Sequence, residues 1–350
     1  MKEEKKNCQN CKLQFTIESE DLDFYRKIDV PSPTWCPDCR MKRRLVWRNE
    51  HDLYRRKDDA SGKEIFSGFP SDAPVKIYEK EYWISDAWEP LDFGREYDFS
   101  KPFFEQFKEL AYAVPWPSRS IQRIVNADYC DQCGDIKNCY LCFNCDHVED
   151  SAYIVRAAEI RNSFDLTQST NNELCYEGVS LSECHRTFFS RDCESCLDVW
   201  FSQNCVGCTN CFGSANLRNK SYYFLIEQLS KEEYEARLRE LELHTWNGLQ
   251  KASETAAKHF ASLPVKYFHG TRAVDSTGEY LKNVKNVKHS WFIEDAQDVK
   301  YSQNVYLSGK DLYDYTVWGG SAALMYECLT CGDNGYGLRF CFDCWPSCRD

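Results

Sequence analysis

Short apolar runs closed by Asn or Asp recur along residues 129–212, and small side chains return in them at fixed intervals. Cys139, Ser151, Ser163 and Cys175 stand twelve residues apart; the same step links Cys184, Cys196 and Cys208, and again Cys193 and Cys205. A fixed period shorter than a helix pair predicts a chain wound in coils. Strands of about four to six residues with polar corners fit a right-handed parallel β-solenoid, with half-coils of about 12 residues and roughly 24 per full coil. Stacked coils let Asn side chains form ladders at the corners.

The periodicity changes at Ser230-Lys-Glu-Glu, a Ser-x-x-Glu capping box followed by strong helix formers, with Tyr234, Leu238 and Leu241 as the packing stripe. A second helical run, about 247–262, stops before Pro264. Together they predict a helical hairpin inserted between two solenoid lobes. The short period then returns, with Val287 and Val299 again twelve apart. Cys328-x-x-Cys331 and Cys341-x-x-Cys344 follow, and the chain stops in mid-coil, which predicts a longer protein or an end covered by a partner.

Ahead of the repeat, Cys8-x-x-Cys11 and Cys36-Pro-Asp-Cys39 form two knuckles separated by 24 residues, with Leu13-Gln-Phe-Thr-Ile alternating like a strand between them. Each knuckle presents two thiolates to one side of a turn, and two complete a tetrahedral zinc site that is closed and structural. Residues 58–98 repeat the outline of such a ribbon without its ligands, to be held by Tyr82, Trp83, Trp88 and Phe93. Ser100 is expected to cap a short helix whose Phe103, Phe104, Phe107, Leu110 and Ala111 face the core. The fold class is therefore mainly β. Its segments are a zinc ribbon with a basic strip (1–57), a degenerate second ribbon and short helix (58–117), a first solenoid lobe (118–221), the hairpin (222–265) and a second lobe (266–350).

Hydrophobic residues make up 43% and aromatics 15%, so the chain folds. The formal net charge of −12 argues against a general nucleic-acid coat, but residues 1–57 carry +4 and the remainder −16. From Arg40 to Lys57 there are eight basic residues (Arg40, Lys42, Arg43, Arg44, Arg48, Arg55, Arg56, Lys57) against two acids. Such an aromatic-laced strip either grips phosphates and stacks bases or pairs with the acidic body of its own chain. The charged N-terminus lacks the apolar run of a signal peptide, and no stretch is apolar for the roughly 18 residues a membrane span needs. With 21 cysteines, these features predict a cytoplasmic protein with reduced or metal-bound thiols.

Cys139-x-x-Cys142-x-x-Cys145 and Cys205-x-x-Cys208-x-x-Cys211 lack the fourth cysteine of the ferredoxin form; Glu149 and Ala215 stand there. Lys137-Asn-Cys-Tyr-Leu-Cys aligns with Lys285-Asn-Val-Lys-His-Ser, so Cys exchanges with Val and Ser, as a small packing residue does and a metal ligand does not. Cys328, Cys331, Cys341 and Cys344 remain the weaker candidates for a second zinc. Asp295, Asp298, Asp311 and Asp314 could serve a solenoid-face enzyme, although acids at corners are ordinarily solvated; His147 and His185 read as corner residues. The two functional alternatives are a non-enzymatic zinc-binding scaffold offering its solenoid surface and basic ribbon to a protein or nucleic-acid partner, and a metal-dependent or solenoid-face enzyme.

The Cys36-Pro-Asp-Cys-Arg knuckle, Asp98-Phe-Ser-Lys-Pro-Phe-Phe-Glu-Gln-Phe, Leu229-Ser-Lys-Glu-Glu-Tyr-Glu, Tyr267-Phe-His-Gly-Thr and Cys341-Phe-Asp-Cys-Trp-Pro resemble motifs of zinc-ribbon, cysteine-rich-repeat proteins of candidate-phyla bacteria. That family has no settled activity. The resemblance implies zinc at Cys8, Cys11, Cys36 and Cys39. Its second ribbon carries cysteines where Asp58 and Ser61 stand here, which speaks against a second zinc.

Overall fold

The computed structural model describes residues 2–49, 51–344 and 346–349. The chain divides into two compact units, one of them discontinuous: Met1–Asn49 with Pro264–Asp350, and Glu50–Leu263. The N-terminal ribbon thus belongs with the C-terminal strands, an association that the order of segments along the chain does not reveal.

In the discontinuous unit, β1 (Glu4–Asn7) pairs antiparallel with β2 (Gln14–Ile17), followed by α1 (Ser19–Lys27) and α2 (Pro37–Leu45). The Asp21 carboxylate accepts from the Glu18 amide and closes the start of α1, while Pro37 sits in the first turn of α2, where its missing N–H is not needed. Leu22, Phe24 and Tyr25 of α1 are buried with Ile17, Ile28, Tyr313 and Tyr326, and the Phe24 ring stacks on Tyr313 at 3.8 Å. The C-terminal part is a six-stranded parallel sheet from Gly270–Val274 to Ala323–Leu329. Its register advances by 12 residues from Ile293 to Val305 but by 13 from Ala296 to Gly309 and from Lys310 to Ala323. The extra residue of the first of these 13-residue steps lies at Leu307–Ser308, both with left-handed backbone.

In the continuous unit, β3 (Tyr54–Lys57) and β4 (Glu64–Ser67) form an antiparallel pair, and β5 (Ile77–Tyr78) pairs with β6 (Trp116–Pro117). Between β5 and β6 lie α3 (Lys80–Trp83) and α4 (Phe103–Ala113). An eleven-stranded sheet follows, from Ile121–Val125 to Glu227–Gln228, in sequence order and parallel except for its last pair. Cys133 aligns with Cys145, Cys145 with Ala157, and Ala157 with Ser169, so the register returns every 12 residues, not every 24 as the sequence suggested.

The physical reason is a triplet within the period. Every third residue points inward, as at Cys139, Cys142, Cys145, Val148, Ser151 and Ile154. Every third residue is also left-handed, as at Asn138, Leu141, Asn144, His147, Asp150 and Tyr153. A residue in that region turns the chain sharply, and Asn and Asp tolerate it best. The chain therefore turns within each triplet and needs no straight run of four to six residues. Corner ladders follow: Asn126 donates to Asn138 (3.1 Å), and Asn138 to Asp150 (2.7 Å).

Inward cysteines and serines behave alike. The Cys139 thiol donates to the Lys137 carbonyl (3.3 Å) and the Ser163 hydroxyl to the Arg161 carbonyl (2.7 Å), each two residues back. Both are small, and both satisfy a carbonyl without leaving the core.

Two further helices, α5 (Lys231–Glu240) and α6 (Trp246–Ala261), follow the large sheet. Ser230 and Glu233 form the anticipated capping box, and Tyr234, Ala252 and Ala256 pack with Phe201 and Phe212, with Leu238 and Leu241 at the margin. The expectation for α4 is corrected. Its first residue follows Pro102, the Ser100 hydroxyl is bonded to Asp98 instead of capping, and Phe103, Phe104 and Phe107 are exposed.

Candidate metal centre

Cys8 closes β1 and opens a tight turn: its N–H donates to the Leu13 carbonyl (2.9 Å) and its carbonyl accepts from the Lys12 N–H (3.0 Å). Lys12 takes the left-handed conformation that lets the turn close, at φ 67°. Cys36 caps α2 and Cys39 lies in its first turn. The Cys36 N–H donates to the Cys8 sulfur (3.2 Å), the Asn10 side chain donates to the Cys39 sulfur (3.3 Å), and the Cys11 and Cys36 sulfurs are 3.8 Å apart. All four sulfurs lie within 4.8 Å of one another, Cys8, Cys36 and Cys39 buried and Cys11 exposed. Zinc at about 2.3 Å from each of four thiolates requires sulfurs about 3.8 Å apart.

The electrostatics call for a cation. Burial pushes the Cys8 thiol up, but N–H groups of Cys36, Cys11 and Asn10 outweigh it and hold the group at about 6. Burial pushes Cys36 up to about 12, with the neighbouring sulfurs of Cys39, Cys11 and Cys8 adding to the shift. Thiolates this close oppose one another's ionisation, and a divalent cation at their centre removes the conflict. The residues fit a tetrahedral thiophilic metal. Four protein ligands leave it no open position for substrate.

The basic strip is largely spent inside its own chain. Arg40 donates from Nε (3.0 Å) and Nη2 (2.8 Å) to Asp314, and Arg44 Nη1 reaches the other Asp314 oxygen at 3.2 Å. Arg43 donates to Glu327 at 2.6 Å, and Arg48 to the Thr330 hydroxyl at 3.2 Å. Arg40 and Arg44 lie one helical turn apart and are both buried, so neither can reach a phosphate. Arg56 is also buried, donating to the carbonyls of Pro70 and Val75. The phosphate grip expected of these three residues is corrected accordingly. Lys42, Arg43, Arg55 and Lys57 remain exposed.

The acids considered for catalysis are engaged as well. Asp314 holds the two arginines, Asp311 pairs with Lys27 (2.9 Å), and Asp295 and Asp298 accept from Asn283 (3.0 Å) and Asn286 (2.8 Å). Cys328 neighbours Cys331 and Cys341, and Cys344 neighbours the same two, but the four sulfurs do not all lie within 4.8 Å of one another as those of the Cys8 group do. Aligned strands set them in columns, and the Cys328 thiol turns to the Tyr326 and Leu338 carbonyls, both at 3.3 Å. Among the described residues, the other cluster within 4.8 Å is Asp135, Asp146 and His147. The 12-residue register brings Asp135 beside His147, and the Arg123 guanidinium already binds both Asp135 oxygens at 2.5 Å. Sequence reading missed this cluster because it assumed twice the true stacking period.

No described helix is long and apolar enough to cross a membrane. No protein-family model matches the chain and no curated protein matches it, so the metal centre is read from its own geometry.

Proposed function

We propose that the protein is a non-enzymatic, zinc-stabilised scaffold of a reducing, cytoplasmic environment. In this reading a zinc ribbon is joined to a right-handed β-solenoid, whose surface is offered to a protein partner. The gathering of the four sulfurs at the start of α2, the helix that carries Arg40 and Arg44 onto Asp314, carries the proposal. A metal there fixes a helix whose buried charges are matched only in one pose, which is structural work. Inward cysteines bonded to carbonyls support packing as the role of the repeat thiols. The exposed rings of Phe99, Phe103, Phe104 and Phe107 form an apolar patch of the kind that partners cover. Nucleic acid is the weaker partner, since only Lys42, Arg43, Arg55 and Lys57 of the strip face outward without burial. Binding to RNA and DNA across a salt series, with Lys42 and Arg43 changed to Glu, tests that arm; binding lost on the change would favour nucleic acid over protein.

A metal-dependent enzyme is the second reading, favoured by the closeness of Asp135, Asp146 and His147. Manganese binding that disappears in His147→Ala while the metal of the four cysteines is retained would support it. Unchanged binding would leave the scaffold reading alone.

A further inference from the structure

We propose that residues 54–83 are a second copy of the metal ribbon in which the Asp58 carboxylate takes the metal's place, so that a tetrahedral thiophilic site would form there only if cysteines were restored at the four corresponding positions. The correspondence holds bond by bond. Adding 50 to each number of the β1–β2 pairing gives that of β3–β4: Glu4 with Ile17 becomes Tyr54 with Ser67, and Asn7 with Gln14 becomes Lys57 with Glu64. The turn follows. The Cys8 N–H to Leu13 carbonyl bond (2.9 Å) becomes Asp58 to Lys63 (2.8 Å), and Lys12 to Cys8 (3.0 Å) becomes Gly62 to Asp58 (2.8 Å). The left-handed residue recurs, Lys12 at φ 67° and Gly62 at 74°.

The second half of the ribbon repeats with a shorter offset. Gln9 donates to the Thr34 carbonyl (3.0 Å) and Asp59 to that of Ile77 (2.9 Å). Two residues later, Cys36 caps α2 and Glu79 caps α3. The connection from Cys11 to Cys36 has 24 intervening residues and that from Ser61 to Glu79 has 17, the longer one containing α1. Cys8, Cys11, Cys36 and Cys39 therefore correspond to Asp58, Ser61, Glu79 and Tyr82.

At the centre the chemistry has been exchanged. In the first ribbon the Cys36 N–H donates to the Cys8 sulfur (3.2 Å). In the second the Glu79 N–H donates to Asp58 Oδ1 (3.1 Å), and the Ser61 N–H (2.7 Å) and hydroxyl donate to Oδ2. One buried carboxylate thus ties the turn to the start of the helix, the task a metal performs through four thiolates. The ribbon pair has one half that depends on metal and one that does not.

The inference rests on the metal reading of the first ribbon only for its comparison arm. Amide hydrogen exchange in the intact chain is measured before and after chelation under reducing conditions, and in Asp58→Ala. Chelation is expected to speed exchange at Cys11 and Cys36 at least tenfold and leave Ser61 and Glu79 unchanged; Asp58→Ala is expected to do the reverse. The chain with Asp58, Ser61, Glu79 and Tyr82 all changed to Cys is expected to take up two equivalents of cobalt, with twice the thiolate-to-cobalt absorbance of the parent. The proposal is overturned if chelation opens Ser61 and Glu79, if Asp58→Ala leaves them protected, or if the four-cysteine chain gains no second equivalent, folded or not. A parent that binds no metal instead refutes the first ribbon's zinc, and the Asp58→Ala arm still decides the substitution of the carboxylate.

Discussion

Asp314→Ala is the most revealing single perturbation of the discontinuous unit. Asp314 is fully buried and accepts from Arg40 twice and from Arg44 once, with Arg40 and Arg44 only 1% and 4% exposed. Removing it leaves two buried guanidinium groups facing Glu327, whose nearest oxygens are 3.7 and 3.9 Å away. Breaking a buried pair by deleting one partner typically costs about 3–5 kcal/mol, because the surviving charge stays desolvated. The exposed Arg55–Glu64 pair, at 3.3 Å, is a matched control, and Arg55→Ala should change stability by no more than about 1 kcal/mol. Amide hydrogen exchange of α2 and of the strand carrying Asp314, followed across a urea series, reports on this unit. A double-mutant cycle of Asp314→Asn with Arg40→Met should return a coupling of about 1–3 kcal/mol. A loss below about 1 kcal/mol for Asp314→Ala, with no coupling, would refute the burial of α2 against these strands.

Three further outcomes follow from the same geometry. Cys139→Ser should leave stability within about 1 kcal/mol, since serine makes the same bond two residues back, whereas Cys139→Leu should lower it by about 1–3 kcal/mol through overpacking; thermal unfolding separates the two. Donors from Ser61, Glu79 and Ala60 outweigh burial and hold Asp58 below its ordinary carboxylate value of 3.8. Its stabilisation is therefore complete above that value and lost as pH falls through the lower folded one, so Asp58→Asn should flatten acid unfolding of residues 54–83 in that window. Tyr234→Ala, which empties a fully packed place among Phe201, Phe212, Ala252 and Ala256, should cost about 3–5 kcal/mol and release α5 and α6 to fast amide exchange.

Features set by neighbours in sequence were the readable ones. The Cys8 and Cys36 knuckles, the Ser230 capping box and the stripe of Tyr234, Leu238 and Leu241 all express local geometry, and each occupies its expected place. The repeat was recognised by its twelve-residue step, but its winding was not. The left-handed residue in each triplet is often Tyr, Phe or Leu, as at Tyr153, Phe189 and Leu141, types that give no turn signal in a sequence. Mistaking one turn for half a turn hid the adjacency of Asp135 and His147. The basic strip was ambiguous for a different reason. Its partners Asp314, Thr316 and Glu327 lie some 270–284 residues away, beyond the reach of any local pattern. Only the charge imbalance between the ribbon and the rest of the chain hinted at the pairing.

The central claim is that the four N-terminal cysteines hold one structural metal on which the ribbon depends. Metal content of the intact chain, purified under reducing conditions and compared with Cys36→Ser/Cys39→Ser, tests it most directly. About one zinc per chain in the parent and none in the variant, with no iron and no visible absorbance, is the predicted result. Stoichiometric iron, or zinc retained undiminished after both cysteines are replaced, would contradict it.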